Sequence, residues 1–264
     1  MIHLDEHLRR ALAGPYSEER KALFSIEMYD RVKEWGTEHP AQKGSESTVT
    51  IGSWSVTVLE ECDPRDASLV LEKLRVIQAS QPMLLGLTFT LGASEDSPTA
   101  VAAAGKFGDI YFFNHRESGR LFATALQEVS ETTMEHLIFH ELAHVADNLK
   151  TDESVIANIV LAKPEEVKQQ LLKLNESYFT EINRLFLKIN SSKTAKENME
   201  TANYIAGEAV AEIFACLHTG DVIPDYPDFL NVTTQLRGDW RRDVSPMKKP
   251  VAYVDGMPIY RGGM

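Results

Sequence analysis

Residues 136–148 read HLIFHELAHVADN, with three histidines spaced four apart and a glutamate directly after the middle one. Leu137, Ile138, Leu142, Val145 and Leu149 recur at helical spacing, which predicts a helix whose histidines lie on or beside the core face. Unpaired imidazoles there would carry a desolvation cost that a bound ion removes. His140-Glu141-Leu142-Ala143-His144 is the H-E-x-x-H pattern. Residues four apart on a helix differ by about 40° around the axis and about 6 Å along it, so both imidazoles reach one ion at about 2.1 Å. Glu141 points beside that ion, where a general base takes a proton from the attacking water without filling the ion's open position. His136 does not extend the row. It lies about 12 Å of helix rise from His144, too far to share the ion, and is expected to pack or hydrogen-bond near the helix start. Thr132 and Glu135 have the S/T-x-x-E spacing of a capping box, so the helix is expected to begin there and to run to about Lys150.

A catalytic zinc site takes three protein ligands and leaves a fourth position open. Asp147, three residues after His144, is one candidate, but three successive ligands on one straight helix fall almost in line with the ion. A second helix, 203-NYIAGEAVAEIFACLH-218, is closed by Gly220 near a C-cap position. Its Glu208 and Glu212 are four apart on one face. Glu208 can ligate, while Glu212 accepts a hydrogen bond from a ligating histidine and so fixes its tautomer and ring direction. Asp147 can do the same for the other histidine. The alternative is that both glutamates form a solvated face; Ala209, Val210, Ala211, Ile213, Phe214 and Ala215 leave little of this helix for solvent.

Upstream of the motif the elements are mixed. Two helices are expected to end near Gly14 and Gly36, the second started by Pro15 with Leu23, Ile26, Met28 and Val32 among its apolar positions. TVTIGSWSVTVLEE alternates β-branched or aromatic residues around Gly52-Ser53, a Gly-first hairpin signal. Asp63-Pro64 supplies an N-cap and a first-turn proline for a helix over 65–80, and Pro82 stops it before the β-type run MLLGLTFTLG. Within AVAAAGKFGDIYFFNH, the end from Asp109 to Asn114 reads as a strand. Between the two motif helices, Val167, Leu171, Leu174, Tyr178, Ile182, Leu185 and Ile189 recur at spacings of three and four, as in a core-facing helix or one arm of an αα-hairpin. VAYV-DG-MPIY near the C-terminus carries the Asp-Gly hairpin signal.

Composition sets the outer limits. Of the 264 residues, 43% are hydrophobic and 25% charged, the balance of a globular chain able to bury a core. A formal charge of −12 argues against nucleic-acid and anionic-membrane binding, both of which need a basic surface. The two cysteines, Cys62 and Cys216, imply no disulfide framework. No apolar run is long enough to span a membrane, and the charged N-terminus, MIHLDEHLRRALAG, lacks the apolar core of a secretory signal. A cytoplasmic location, or export by a signal-peptide-independent system, is therefore expected.

HELAHVAD resembles the H-E-x-x-H-x-x-D of the anthrax lethal factor catalytic domain and the related Pro-Pro endopeptidases, and EAVAEIFACLHTGD is similar to the second helix of that group. The matching positions are His140, Glu141, His144 and Asp147, then Glu208, Ala211, Glu212, Phe214, His218 and Asp221; the likeness covers about residues 136 to 221. The resemblance implies a gluzincin-type zinc endopeptidase with one Zn2+ per chain, held by His140, His144 and Glu208, with Glu141 as base and a protein or peptide as substrate. It also implies a bacterial toxin or effector delivered into a host cell and acting on a host protein. The group uses a tyrosine before the third ligand to stabilise the oxyanion. Here the position seven before Glu208 is Thr201, and the nearest tyrosine is Tyr204. Tyr204, or a histidine such as His218, would serve; His218 near a helix C-terminus also suits a capping role. In zinc peptidases an edge strand above the metal pairs with the substrate backbone, and 108–114 is either that strand or an interior one.

The expectation is an α+β, zincin-like fold, helix-rich, with a small mixed or antiparallel sheet. Residues 1–82 form an N-terminal helical and β-hairpin region, either a separate lobe or part of the same domain, and 83–264 the catalytic domain. Two rival functions share these residues: a binding protein that keeps the fold without hydrolysing peptides, and a metal-dependent hydrolase of a non-peptide bond.

Overall fold

Gly52, with φ at +57°, makes the two-residue turn that folds β1 (Ser47–Ile51) back on β2 (Trp54–Val58), Ile51 opposite Trp54. The computed structural model describes residues 29–80, 84–94, 100–105, 107–130, 132–147, 160–162, 165, 167–168, 185–189 and 194–220, and the backbone of 252–254 and 257–259. Asp63 caps the next helix, its Oδ1 accepting from the Arg65 backbone N–H at 2.8 Å, and the helix runs Pro64–Ser80. A helical segment over 29–38 precedes the hairpin and continues past Gly36. We call these helices α1 (29–38) and α2 (Pro64–Ser80).

β3 is Thr88–Ala93, shorter than the apolar run that predicts it, because Gly86 with φ at +72° interrupts the extended chain. β4 is Ala102–Ala104 and β5 is Asp109–Phe113. The sheet has the order β1-β2-β3-β5-β4, with β2, β3 and β5 parallel and both outer strands antiparallel to their neighbours. The fold is therefore α+β with a small mixed sheet. β2 pairs with β3 across residue 82, and Val56, Phe89 and Ile110 join one apolar core. The expected division at 82 does not separate two cores: the hairpin is the outer part of one sheet.

The strand at 109–113 is interior, held between β3 and β4, and β4 is the edge. The sequence reading missed β4 because alanine has little strand preference of its own; pairing with β5 imposes the conformation. α3 (Phe122–Val129) was not anticipated either. It is followed by α4 (Met134–Asp147), the motif helix, and α5 (Ala195–Thr219).

Thr133, one residue later than expected, caps α4 by accepting from the His136 N–H at 3.2 Å, and Glu135 pairs instead with Lys73 at 2.7 Å. α5 begins earlier than the apolar pattern predicts, at a Thr194 cap that accepts from the Glu197 N–H, and ends at Gly220 in the left-handed region. Leu137, Ile138, Leu142 and Val145 of α4 are buried against the core, and α4 packs on both α5 and β4. Val167 and Leu185 of the intervening amphipathic pattern are buried; Leu171, Leu174, Tyr178 and Ile182 lie outside the described residues, as do the helix expected before Gly14 and residues 148–150. β6 (Ala252–Val254) and β7 (Met257–Ile259) form the predicted Asp-Gly hairpin, Val254 opposite Met257. Among the described residues no helix is long and apolar enough to cross a membrane.

Candidate metal centre

The seam between α4 and α5 is built from polar side chains that interleave. His136 Nε2 lies 2.9 Å from Glu212 Oε2, and Glu212 Oε1 lies 3.0 Å from His140 Nδ1. On the other side of the same ring, His140 Nε2 is 3.2 Å from Glu208 Oε2, and His144 Nε2 is 3.4 Å from Glu208 Oε1 and 2.9 Å from His140 Nε2. As the numbers rise along α4 they fall along α5, so the two helices run in opposite directions at the contact. The His140 Nδ1 to Glu212 approach is close in distance but bent away from the line of a full hydrogen bond.

His140, Glu208 and Glu212 are buried, which excludes the solvated face that sequence left open for the two glutamates. Burial opposes protonating His140, yet the bonds and charges of Glu208 and Glu212 outweigh it and push the imidazole up to about 10. His144 is raised as well: burial works against it, and Glu208 prevails. Burial would raise Glu208 and Glu212, but the facing histidines hold both below the ordinary carboxylate range. Glu141 goes the other way, raised chiefly by its own burial, with His140 and His144 pulling against it. Beside Glu141, the centre thus collects two imidazoles and two carboxylates, each with a lone pair that either a proton or a metal ion can take.

His140, His144 and Glu208 each turn a ligand atom to a common point. Two imidazole nitrogens facing each other at 2.9 Å can share at most one proton between them. A divalent ion at the common point would satisfy both, together with the carboxylate. Ligands bound at about 2.0–2.1 Å in tetrahedral geometry stand roughly 3.4 Å apart; here the two Nε2 atoms are 2.9 Å apart, and one Glu208 oxygen lies 3.2 Å from His140 while the other lies 3.4 Å from His144. With one atom from each residue inside 4.8 Å, the set fits a cation once the side chains adjust around it.

Exposure grades along the seam. His140 is 1% exposed on its side chain, Glu208 6% and His144 20%, so the centre opens at the His144 end. Tyr204, one turn before Glu208 on α5, is 52% exposed and lies toward that end. Thr201 is buried and its hydroxyl donates to Glu197 O at 2.8 Å, which commits it to the helix. His218 Nδ1 bonds Phe214 O at 2.9 Å and its ring stacks on Phe139 at 4.5 Å, placing it in the helix-end role rather than at the centre. Asp147 ends α4; its side chain lies outside the described residues, as does Asp221. His136, expected only to pack or hydrogen-bond, is the partner that fixes the far oxygen of Glu212. The i,i+4 continuation His136-His140-His144 was the available signal, since every member of that row meets the same opposing helix. Comparisons with protein-family models, characterised proteins and solved structures find no match.

Proposed function

We propose that this chain is a zinc-dependent endopeptidase with a zincin-like catalytic domain. The observation that carries the reading is the convergence of His140 Nε2, His144 Nε2 and the Glu208 carboxylate, whose two oxygens lie 3.2 Å from the first nitrogen and 3.4 Å from the second, beside the buried carboxyl of Glu141. Two histidines and a glutamate are the ligand set of hydrolytic zinc sites, and they leave one position open. Zinc bound there would supply Lewis-acid polarisation of a carbonyl and a more acidic water.

The rest follows from the chain's own residues. Glu141 takes the proton of the attacking water and returns it to the departing amine nitrogen. Glu212 Oε1, 3.0 Å from His140 Nδ1, favours the tautomer with its proton on Nδ1 and leaves Nε2 for the ion, and His136 holds the second oxygen of Glu212. Tyr204, at the open end, donates its hydroxyl to the oxygen that gains charge.

The edge strand favours a peptide over a non-peptide substrate. Gly105 N donates to Asp109 O and Phe113 N to Val101 O, so 101, 103 and 105 bond inward to β5. Ala102 and Ala104 therefore present their backbone N–H and C=O groups outward, beside α4, where an extended peptide can add as a further strand. Under the resemblance to lethal factor, that peptide belongs to a host protein.

The test is Glu141→Gln. The variant should bind one equivalent of zinc in this centre as the parent does and lose cleavage of a peptide library by about 10²- to 10⁴-fold. Undiminished cleavage, or cleavage that persists in excess chelator, would remove the metallopeptidase reading; no cleavage by the zinc-loaded parent would favour a binding protein or a non-peptide substrate.

A further inference from the structure

We propose a second metal site, built from His136, Glu212 and Cys216, adjoining the His140–His144–Glu208 centre and holding a structural Zn2+ that staples α4 to α5. A ring nitrogen of His136, a carboxylate oxygen of Glu212 and Sγ of Cys216 lie within 4.8 Å of one another, and all three residues are buried. An imidazole, a carboxylate and a thiol converging inside a core have no apolar purpose, and they are a combination that Zn2+ binds well.

The site repeats the plan of its neighbour with the helices exchanged. In the first, α4 gives two ligands four residues apart, His140 and His144, and α5 gives Glu208. In the second, α5 gives two ligands four residues apart, Glu212 and Cys216, and α4 gives His136. The antiparallel contact puts them in sequence along one seam: His144, Glu208, His140, Glu212, His136, Cys216. Glu212 joins the two, with Oε1 toward His140 and Oε2 toward His136.

Charge separates their roles. A thiolate and a carboxylate together balance Zn2+, so the second ion can be buried with no net charge. One carboxylate leaves the first ion with a net positive charge and an exposed flank at His144, as a centre that polarises a substrate requires. On binding, Cys216 releases its thiol proton to solvent. His136 coordinates as the neutral ring through Nε2 and keeps its proton on Nδ1, giving up the bond to Glu212 that positions the two side chains beforehand. Phe139 and Phe214, packed edge-on at 6.4 Å, lie next to this stretch of the seam and limit water there.

Cobalt tells the sites apart, because the first has no sulfur and thiolate ligation of Co2+ gives a near-ultraviolet charge-transfer band. The full chain, stripped with a chelator and titrated with Co2+, should bind two equivalents, one of which brings the thiolate band. Cys216→Ser should lose that band and that equivalent and keep the other, while Cys62→Ser keeps both. One equivalent with no thiolate band would overturn the second site and leave the first standing. A thiolate band carried by a single equivalent would support the second site and remove the first. A band that survives Cys216→Ser overturns the assignment. If that variant does not fold, the titration of the parent chain beside Cys62→Ser still decides.

Discussion

Glu212 touches two histidines at once, and its role is best stated as a consequence for its neighbours. A carboxylate behind a ligating imidazole raises the ring's basicity and fixes which nitrogen is free. Glu212→Gln keeps the shape and removes the charge, so zinc affinity of the His140–His144–Glu208 centre, measured in a Cys216→Ser background by competition with a chromophoric chelator, should fall about 10- to 100-fold. An unchanged affinity would mean that His140 is oriented by packing alone. Glu141→Gln, by contrast, should keep the affinity and lose turnover, which separates a positioning carboxylate from a proton-transferring one. Most of this centre was legible in the sequence because helical spacing fixes which side chains share a face: His140, His144, Glu208 and Glu212 all follow from it. The spacing put His136 on the face that meets the opposing helix without revealing its partner there, and Cys216 looks within its own helix like an ordinary core position. Their meaning depends on the register between two helices, which no local pattern encodes.

At the scale of elements, α2 and the turn before α3 are tied by a buried ion pair. Arg120 Nε donates to Asp66 Oδ2 at 2.8 Å, its NH2 group bonds the other oxygen, and Leu121 N donates to Oδ2 at 2.9 Å. The same guanidinium donates to His39 O and lies 4.5 Å over the Trp35 ring, which anchors the end of α1. Asp66→Ala leaves the buried Arg120 with only the more distant carboxylate of Asp63, 3.7 Å from its Nε, so the chain should lose about 3 kcal/mol in urea unfolding; a loss under about 1 kcal/mol would show that Asp63 compensates the arginine by itself. The edge strand makes a separate prediction. Ala104→Pro removes an outward N–H without touching the bonds to β5. KM for an extended peptide should rise about 2- to 10-fold with kcat and zinc content unchanged, the effect of one lost hydrogen bond, and an unaltered KM would place the substrate elsewhere. Turn chemistry made the β1–β2 and β6–β7 hairpins and α2 readable, since Gly52-Ser53, Asp255-Gly256 and Asp63-Pro64 are local signals. The order of strands is not local. That β4 rather than β5 lies at the edge depends on which strands meet, and the alanines of β4 carry no sign of it.

Among the described residues, the main core reaches from the β1–β2 hairpin to α5, so these parts should respond together to acid. Asp63 is a sensitive point. Burial alone would raise its carboxyl, but Arg65, the Gln42 and Arg65 backbone N–H groups and nearby Arg120 hold it below the usual range. A folded pKa below the unfolded value of about 3.9 means that the stabilisation is complete above about pH 5 and fades as pH falls through 4 toward the folded value. The urea midpoint should drop across that interval, and Asp63→Asn should flatten the drop while lowering the midpoint at neutral pH. An equally steep fall in the variant would assign the acid sensitivity to other carboxylates.

The central claim is that α4 and α5 bring His140, His144 and Glu208 to a single ion. Crystals of the full chain grown with zinc and measured on both sides of the zinc absorption edge test it directly. An anomalous peak within about 2.0–2.2 Å of both Nε2 atoms and a Glu208 oxygen is the predicted result. A map with no peak between those three side chains, or with Glu208 turned out to solvent, would contradict it.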